Sequence, residues 1–183
     1  MHNIGSWSSL PKFDECPSPL PPDFTSLYCA ARCGFSSLAK RLIIAHAEDV
    51  NAKCCDRSTP LHVASLGGHV DAVHVLLEHG AHINAEKFGD ITPLHLASYH
   101  GHPKVVQFLL EHKATVDART DSRVTPLLCA SENGHLEVAR LLLDHGADVN
   151  VQDESEIYGT PLQVATRNGH HDIARLIQDH GAH

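Results

Sequence analysis

Long apolar runs are missing from this sequence. No stretch approaches the roughly 18 uninterrupted apolar residues that a membrane helix needs, so no membrane insertion is expected. The start, MHNIGSWSSLPKF, has neither a cationic segment nor an apolar one, and does not read as a secretory signal. Clusters of Lys and Arg are scarce too. The formal net charge is −8, and a nucleic acid partner, which needs basic patches, is not expected. The acidity is uneven: residues 120–183 hold ten acids against four bases, residues 1–119 twelve against ten. The six cysteines (Cys16, Cys29, Cys33, Cys54, Cys55, Cys129) follow no disulfide framework, which points to a reducing, intracellular and cytoplasmic setting. There is no GxSxG elbow, no HExxH, no Walker P-loop and no Cys/His pair outside a recurring pattern. On that ground neither an enzyme activity nor a cofactor is expected.

What the sequence does contain is a segment that keeps returning. Thr59 to Ile91, TPLHVASLGGHVDAVHVLLEHGAHINAEKFGDI, comes back 33 positions later as TPLHLASYHGHPKVVQFLLEHKATVDARTDSRV, from Thr92 to Val124. Further copies begin at Thr125 (TPLLCASENGHLEVARLLLDHGADVN) and Thr160 (TPLQVATRNGHHDIARLIQDHGA), and a looser one at Thr25 (TSLYCAARCGFSSLAKRLIIAHAEDVN). Fixed-period self-similarity predicts an all-α solenoid of five repeats: 25–58, 59–91, 92–124, 125–159 and 160–183. Cys29 and Cys129 share a repeat position with Val63, Leu96 and Val164, so they read as core hydrophobes.

Each copy reads as helix, turn, helix and long loop. In the second, Thr59 caps the first helix and Pro60 occupies its first position, where a missing donor costs nothing. Leu61 and Ala64 mark the inward face, and Gly67 and Gly68 stop the helix. Val70, Val73, Leu76 and Leu77 give the spacing of a second amphipathic helix. Gly80 ends it and Ile83 tucks the loop inward. Lys113 and Ala47 stand where other copies carry the stop glycine, and a side chain there costs on the order of 1 kcal/mol. The fourth loop, VQDESEIYG, is two residues longer than its counterparts. It reads as tolerated drift or as an acidic tip, Asp153, Glu154 and Glu156, for a basic partner.

Residues 1–24 do not share the period. They carry Pro11, Pro17, Pro19, Pro21 and Pro22 with Trp7, Phe13 and Phe24. Proline at this density disfavours helix and predicts an extended arm. Two roles are open to it: a linker, or a cap whose Trp7 and Phe13 cover the exposed end of the first repeat.

The recurring TPLH, AxxxGH, LLExGA and VN elements resemble ankyrin repeats from Thr25 to the C-terminus. That resemblance implies antiparallel helix pairs stacked in an array, projecting β-hairpin loops (fingers), and protein binding without catalysis. Where such hairpins usually carry glycine two residues before Thr, this chain has Arg57, Asp90 and Arg123. The looser first repeat is also similar to the junctions that precede such arrays in NACHT-type NTPase proteins. A fragment of a larger signalling NTPase and a ubiquitin-ligase substrate adaptor are therefore alternatives. Ile173, Leu176 and Ile177 keep the phase of an internal repeat, as though further repeats followed.

Of the seventeen histidines, eleven recur in register: His62 and His95; His69, His102, His135 and His170; His46, His79, His112, His145 and His180. Stacking turns such positions into ladders, so turn and inter-repeat hydrogen bonds are predicted. His100 and His102 have no third and fourth partner spaced for zinc, and no metal is expected. Cys54 and Cys55 are predicted to be exposed on the first finger, without a redox role.

Specificity belongs to positions the repeats leave free to vary. On the first helices these are Arg32, Leu66, Tyr99, His100, Glu132, Asn133, Arg167 and Asn168. The fingers add Asp56, Ser58, Phe88, Ile91, Asp121 and Val124. Leu66, Phe88, Ile91 and Tyr99 are predicted to form an apolar patch that anchors a protein partner, the chain itself being a monomer.

Overall fold

Each repeat begins at a threonine, followed by proline in all but the first, where Ser26 follows Thr25. The Thr25, Thr125 and Thr160 hydroxyls accept the amides of Tyr28, Leu128 and Gln163 at 3.1, 3.4 and 3.3 Å. Pro60, Pro93, Pro126 and Pro161 fill the first helical turn, where their fixed φ suits the helix. The computed structural model describes residues 25–151 and 159–181. The linker-or-cap arm of residues 1–24, and Asp153, Glu154 and Glu156 of the fourth finger, lie outside the described residues.

Within that range the helices are α1 (Ser26–Arg32), α2 (Ser36–His46), α3 (Pro60–Leu66), α4 (Val70–Glu78), α5 (Pro93–Tyr99), α6 (Pro103–Glu111), α7 (Pro126–Asn133), α8 (Leu136–Asp144), α9 (Pro161–Arg167) and α10 (His171–Asp179). The odd-numbered helices stack on one another in chain order and form an inner layer; the even-numbered ones form an outer layer. Leu27, Leu61, Leu94 and Leu127 make a fully enclosed column through the inner layer. Leu76, Leu109, Leu142 and Ile177 make its counterpart outside. Each such side chain contributes about 1.5–3 kcal/mol on burial. Helices of seven to eleven residues are marginal alone, so this stacking is what holds them.

The turn between paired helices explains the GH element. Gly68 and Gly101 take φ of +71° and +69°, and a Cβ at either would lie 2.6 and 2.5 Å from the ring of His102 and of His135 in the following repeat. Glycine there meets two demands, a left-handed backbone and room for a neighbour. At the outer helix ends, Ala81 and Ala147 send amides back to Leu76 and Leu142 at 2.9 and 3.0 Å across Gly80 and Gly146. This closure, a Schellman motif, recurs at Ala114 and Leu109 (3.0 Å), but with Lys113 at φ +71° in the glycine seat. Ala47 takes φ +50° in the first repeat, as its position predicts.

The fingers depart from the expected β-hairpins. Among the described residues they contain one isolated antiparallel bridge, Lys87 to Ile91, and no extended strand. Each of the first three is a five-residue turn closed by a main-chain bond from the amide of Cys54, Lys87 and Thr120 to the carbonyl of Ser58, Ile91 and Val124, at 2.9, 3.1 and 3.0 Å. A second lies inside it, from the Arg57, Asp90 and Arg123 amides back to the Cys54, Lys87 and Thr120 carbonyls at 2.8, 3.1 and 2.7 Å. Arg57, Asp90 and Arg123 take φ of +63°, +54° and +57° just before each closure. The N-cap threonine of the next helix follows each closure directly, at Thr59, Thr92 and Thr125, which leaves no chain for a second ladder pair. Neighbouring repeats are also tied at the loop base. Asn51 and Asn84 Oδ1 accept the amides of His82 and Thr115 at 2.8 and 2.9 Å, and Asp117 accepts that of Asp148 at 3.1 Å.

Candidate partner-binding surface

The inner helices end in a row of residues whose backbones are held by the next repeat. Nε2 of His69, His102, His135 and His170 donates to the carbonyls of Arg32, Leu66, Tyr99 and Glu132 at 3.0, 2.8, 3.0 and 3.1 Å. These four carbonyls belong to residues predicted to carry specificity, so the ladder sets their spacing. A side chain mounted on such a lattice loses little freedom on binding.

A second histidine ladder fixes the fingers. His62 Nδ1 accepts the Thr59 amide at 3.2 Å while Nε2 donates to the Ile91 carbonyl at 3.0 Å. His95 does the same between Thr92 and Val124, at 3.2 and 3.0 Å. An amide only donates and a carbonyl only accepts, so each ring is the neutral Nε2–H tautomer. Burial pushes both imidazoles down to about 4. The series breaks at Leu128, which joins Val124, Cys129 and Val164 in a small apolar cluster against which Tyr99 packs.

The predicted residues separate into groups. Phe88 is 59% exposed at the tip of the second finger. Its amide donates to the Asp56 carbonyl at 3.2 Å, and the Asp121 amide donates to the Gly89 carbonyl at 3.0 Å, so adjacent finger tips are tied on both sides. Leu66 and Tyr99 are half-buried. The Tyr99 hydroxyl is raised by burial, then by Glu132 and Cys129. His100, Arg167 and Asn168 are exposed; Arg32, Glu132 and Asn133 are half-buried. Burial raises the Glu132 carboxyl, partly offset by the Arg167 guanidinium.

Several expectations require correction. Ile91 is 6% exposed, because its residue is the anchor that receives His62, and Val124 is buried for the same reason through His95. The apolar patch therefore lacks Ile91. Ser58 is buried, and its hydroxyl and amide bind the two oxygens of Asp56 at 2.6 and 2.9 Å. Asp56 also pairs with Lys87 at 3.3 Å across two fingers. Burial alone would raise its carboxyl, but Ser58 and Lys87 together hold it below the ordinary carboxylate value. It is a staple between fingers. Asn133 and Asn168 direct their amide donors to the Cys129 and Glu132 carbonyls at 2.9 and 3.0 Å, so these donors are engaged within the array although Asn168 itself is exposed. Cys54, expected outside, is buried, and burial raises its thiol to about 11; Cys55 is exposed. Donor atoms of Cys54, Cys55 and Asp56 lie within 4.8 Å of one another, yet the Lys87 ammonium on Asp56 opposes a cation there.

Asp121, placed on the fingers by its sequence position, has two acidic companions there that the repeat pattern did not single out for binding, Asp90 and Glu86. Asp121 is raised by its hydrogen bond to Asp90 and by that residue's charge, with Glu86 adding to it. The signal was present, since Asp90 occupies a position usually given to glycine, but which fingertip acids meet depends on how the fingers lean. Asp90, Asp121 and Glu86 thus form a local acidic trio on finger tips that also carry Arg57, Arg119 and Arg123.

No helix among the described residues is long and apolar enough to cross a membrane. Family models described as ankyrin repeats match residues 61–110, 86–153 and 159–183. Among curated proteins none matches the chain.

Proposed function

The chain belongs to the ankyrin repeat family, whose members generally mediate protein–protein interaction, and from that premise we propose that it binds a protein segment non-catalytically along the inner-helix ends and finger tips. The observation that carries this reading is Phe88. Outside the first repeat it is the one large hydrophobic side chain strongly exposed among the described residues, and it stands on a loop tied to both neighbouring fingers. A scaffold gains nothing by holding an aromatic ring rigidly in water; interfaces use such rings as anchors. Leu66 and Tyr99 extend the apolar surface, with His100, Arg32, Glu132 and Arg167 as polar surroundings. Asp90, Asp121 and Glu86 favour a partner that places Lys or Arg beside its apolar residue. Ubiquitin-ligase recruitment and an NTPase assembly receive no support from the residues described.

The test is selection from a displayed random-peptide library on the immobilised chain. Wild type should enrich sequences with an apolar residue next to Lys or Arg. Phe88→Ala should abolish that enrichment with far-UV circular dichroism unchanged. Identical enrichment on Phe88→Ala, or none on the wild type, would overturn the reading. Tyr99 is unsuited to truncation because half of it belongs to the core.

A further inference from the structure

The first repeat carries an apolar face that no described residue covers. In every later repeat, the position equivalent to Leu38 is closed by the repeat before it: Ala72, Val105, Val138 and Ile173 are at most 1% exposed. Leu38 is 43% exposed. The position equivalent to Leu42 behaves likewise, fully enclosed as Leu76, Leu109, Leu142 and Ile177 but only partly buried here. Cys29 is half-exposed, whereas Val63, Leu96, Cys129 and Val164 are buried. Phe35 is the sharpest difference. Its equivalents, His69, His102, His135 and His170, donate to a carbonyl of the preceding repeat, but Phe35 has no donor to give and is 59% exposed. The position that addresses a preceding helix pair has become aromatic, so it suits an apolar cover in place of a carbonyl.

We propose that residues 1–24 are that cover, laying Trp7, Phe13 and Phe24 across Phe35, Leu38 and Leu42. The segment joins directly onto α1 and shows none of the repeat pattern, so it does not supply a helix pair of the usual kind. From Trp7 to Thr25 it reaches up to about 60 Å extended, against about 16 Å for the length of α2. Its five prolines favour an extended conformation that needs no main-chain partners and lies well on apolar, aromatic surfaces. Charge agrees. Residues 1–24 hold Asp14, Glu15 and Asp23 against Lys12, and residues 25–58 hold five bases (Arg32, Lys40, Arg41, Lys53, Arg57) against three acids (Glu48, Asp49, Asp56), in a chain of net −8. Arg41 lies one turn beyond Leu38, on the same side of α2.

Trp7 is the single tryptophan of the chain, so its fluorescence reports the contact in the full-length protein. The expected result is blue-shifted emission, protected from iodide and independent of protein concentration. Phe35→Ser with Leu38→Ser should move the emission to the red and restore quenching, with circular dichroism unchanged. Ile44→Glu should move neither, because Ile44 stands where the other repeats carry Glu78, Glu111, Asp144 and Asp179, away from this face. Solvent-like emission in the wild type would overturn the proposal, as would protected emission that the double variant leaves in place. A dimer that the double variant dissociates would overturn it in favour of a second copy. If the double variant loses helicity, Phe35→Ser alone decides, since serine is a favourable residue at that N-cap.

Discussion

His62 and His95 are enclosed, accept an amide at one nitrogen and donate to a carbonyl with the other. A second proton on either ring would displace the threonine amide from Nδ1 and place a charge in a buried site. Their imidazoles titrate near 6.5 when unfolded and near 4 when folded. Between those values the unfolded chain binds more protons, so the stabilisation these rings contribute falls as pH drops through this window, and the loss levels off below about 4. The shift corresponds to about 3 kcal/mol per histidine. Urea melts at pH 7, 5.5 and 4.5 should show the decline. Replacing both residues with Gln, which the chain itself uses at Gln163 to accept the Thr160 amide at 3.0 Å, should flatten it while lowering stability at pH 7. An equally steep decline in that variant would place its origin elsewhere. A second residue-scale expectation concerns Ser65, Ser98 and Ser131, whose buried hydroxyls make no hydrogen bond. Their equivalent in the first repeat is Ala31, fully buried. Each Ser→Ala change should stabilise by about 1 kcal/mol and raise Tm by about 2–4 °C. A fall in calorimetric Tm would show that the hydroxyls are satisfied.

At the scale of the element, the outer helices offer an internal control. Three of them close with the same main-chain bond, two over glycine and one over Lys113. A Cβ at Gly80 or Gly146 would meet nothing within 4 Å, so room is not at issue, only the left-handed backbone. Lys113→Gly should therefore stabilise by about 1 kcal/mol and raise Tm by about 2–4 °C. An unchanged or lower value in thermal denaturation would refute the strain. The seat was recognisable from the sequence because the period aligns Lys113 with glycines on either side. The finger turns were less so, since Arg57, Asp90 and Arg123 show only that something departs from habit.

Through the described residues, two hydrogen-bonded histidine ladders and an Asn/Asp ladder connect repeat to repeat, and several residues proposed to meet a partner sit on those connections. That arrangement accounts for an ordered stack built from short helices. It also leaves each end with a face that inner repeats bury automatically. The first repeat answers with Phe35 where its successors have histidine.

The period alone determined the helix pairs, their caps and stops, and the role of most histidines, because each of these is a local demand repeated in register. It also picked out Phe88 and Leu66 as variable positions with an apolar side chain, and Tyr99, part of which the structure packs against the Val124 cluster. The tertiary structure decided which variable positions face outward. Ile91 on the finger of Phe88, and Ser58, Asp56 and Cys54 on the finger before it, are drawn inward, since His62 reaches the Ile91 carbonyl and Lys87 pairs with Asp56, which in turn holds Ser58. Such contacts span 29 and 31 residues, a distance at which spacing along the chain specifies register and leaves contact to packing.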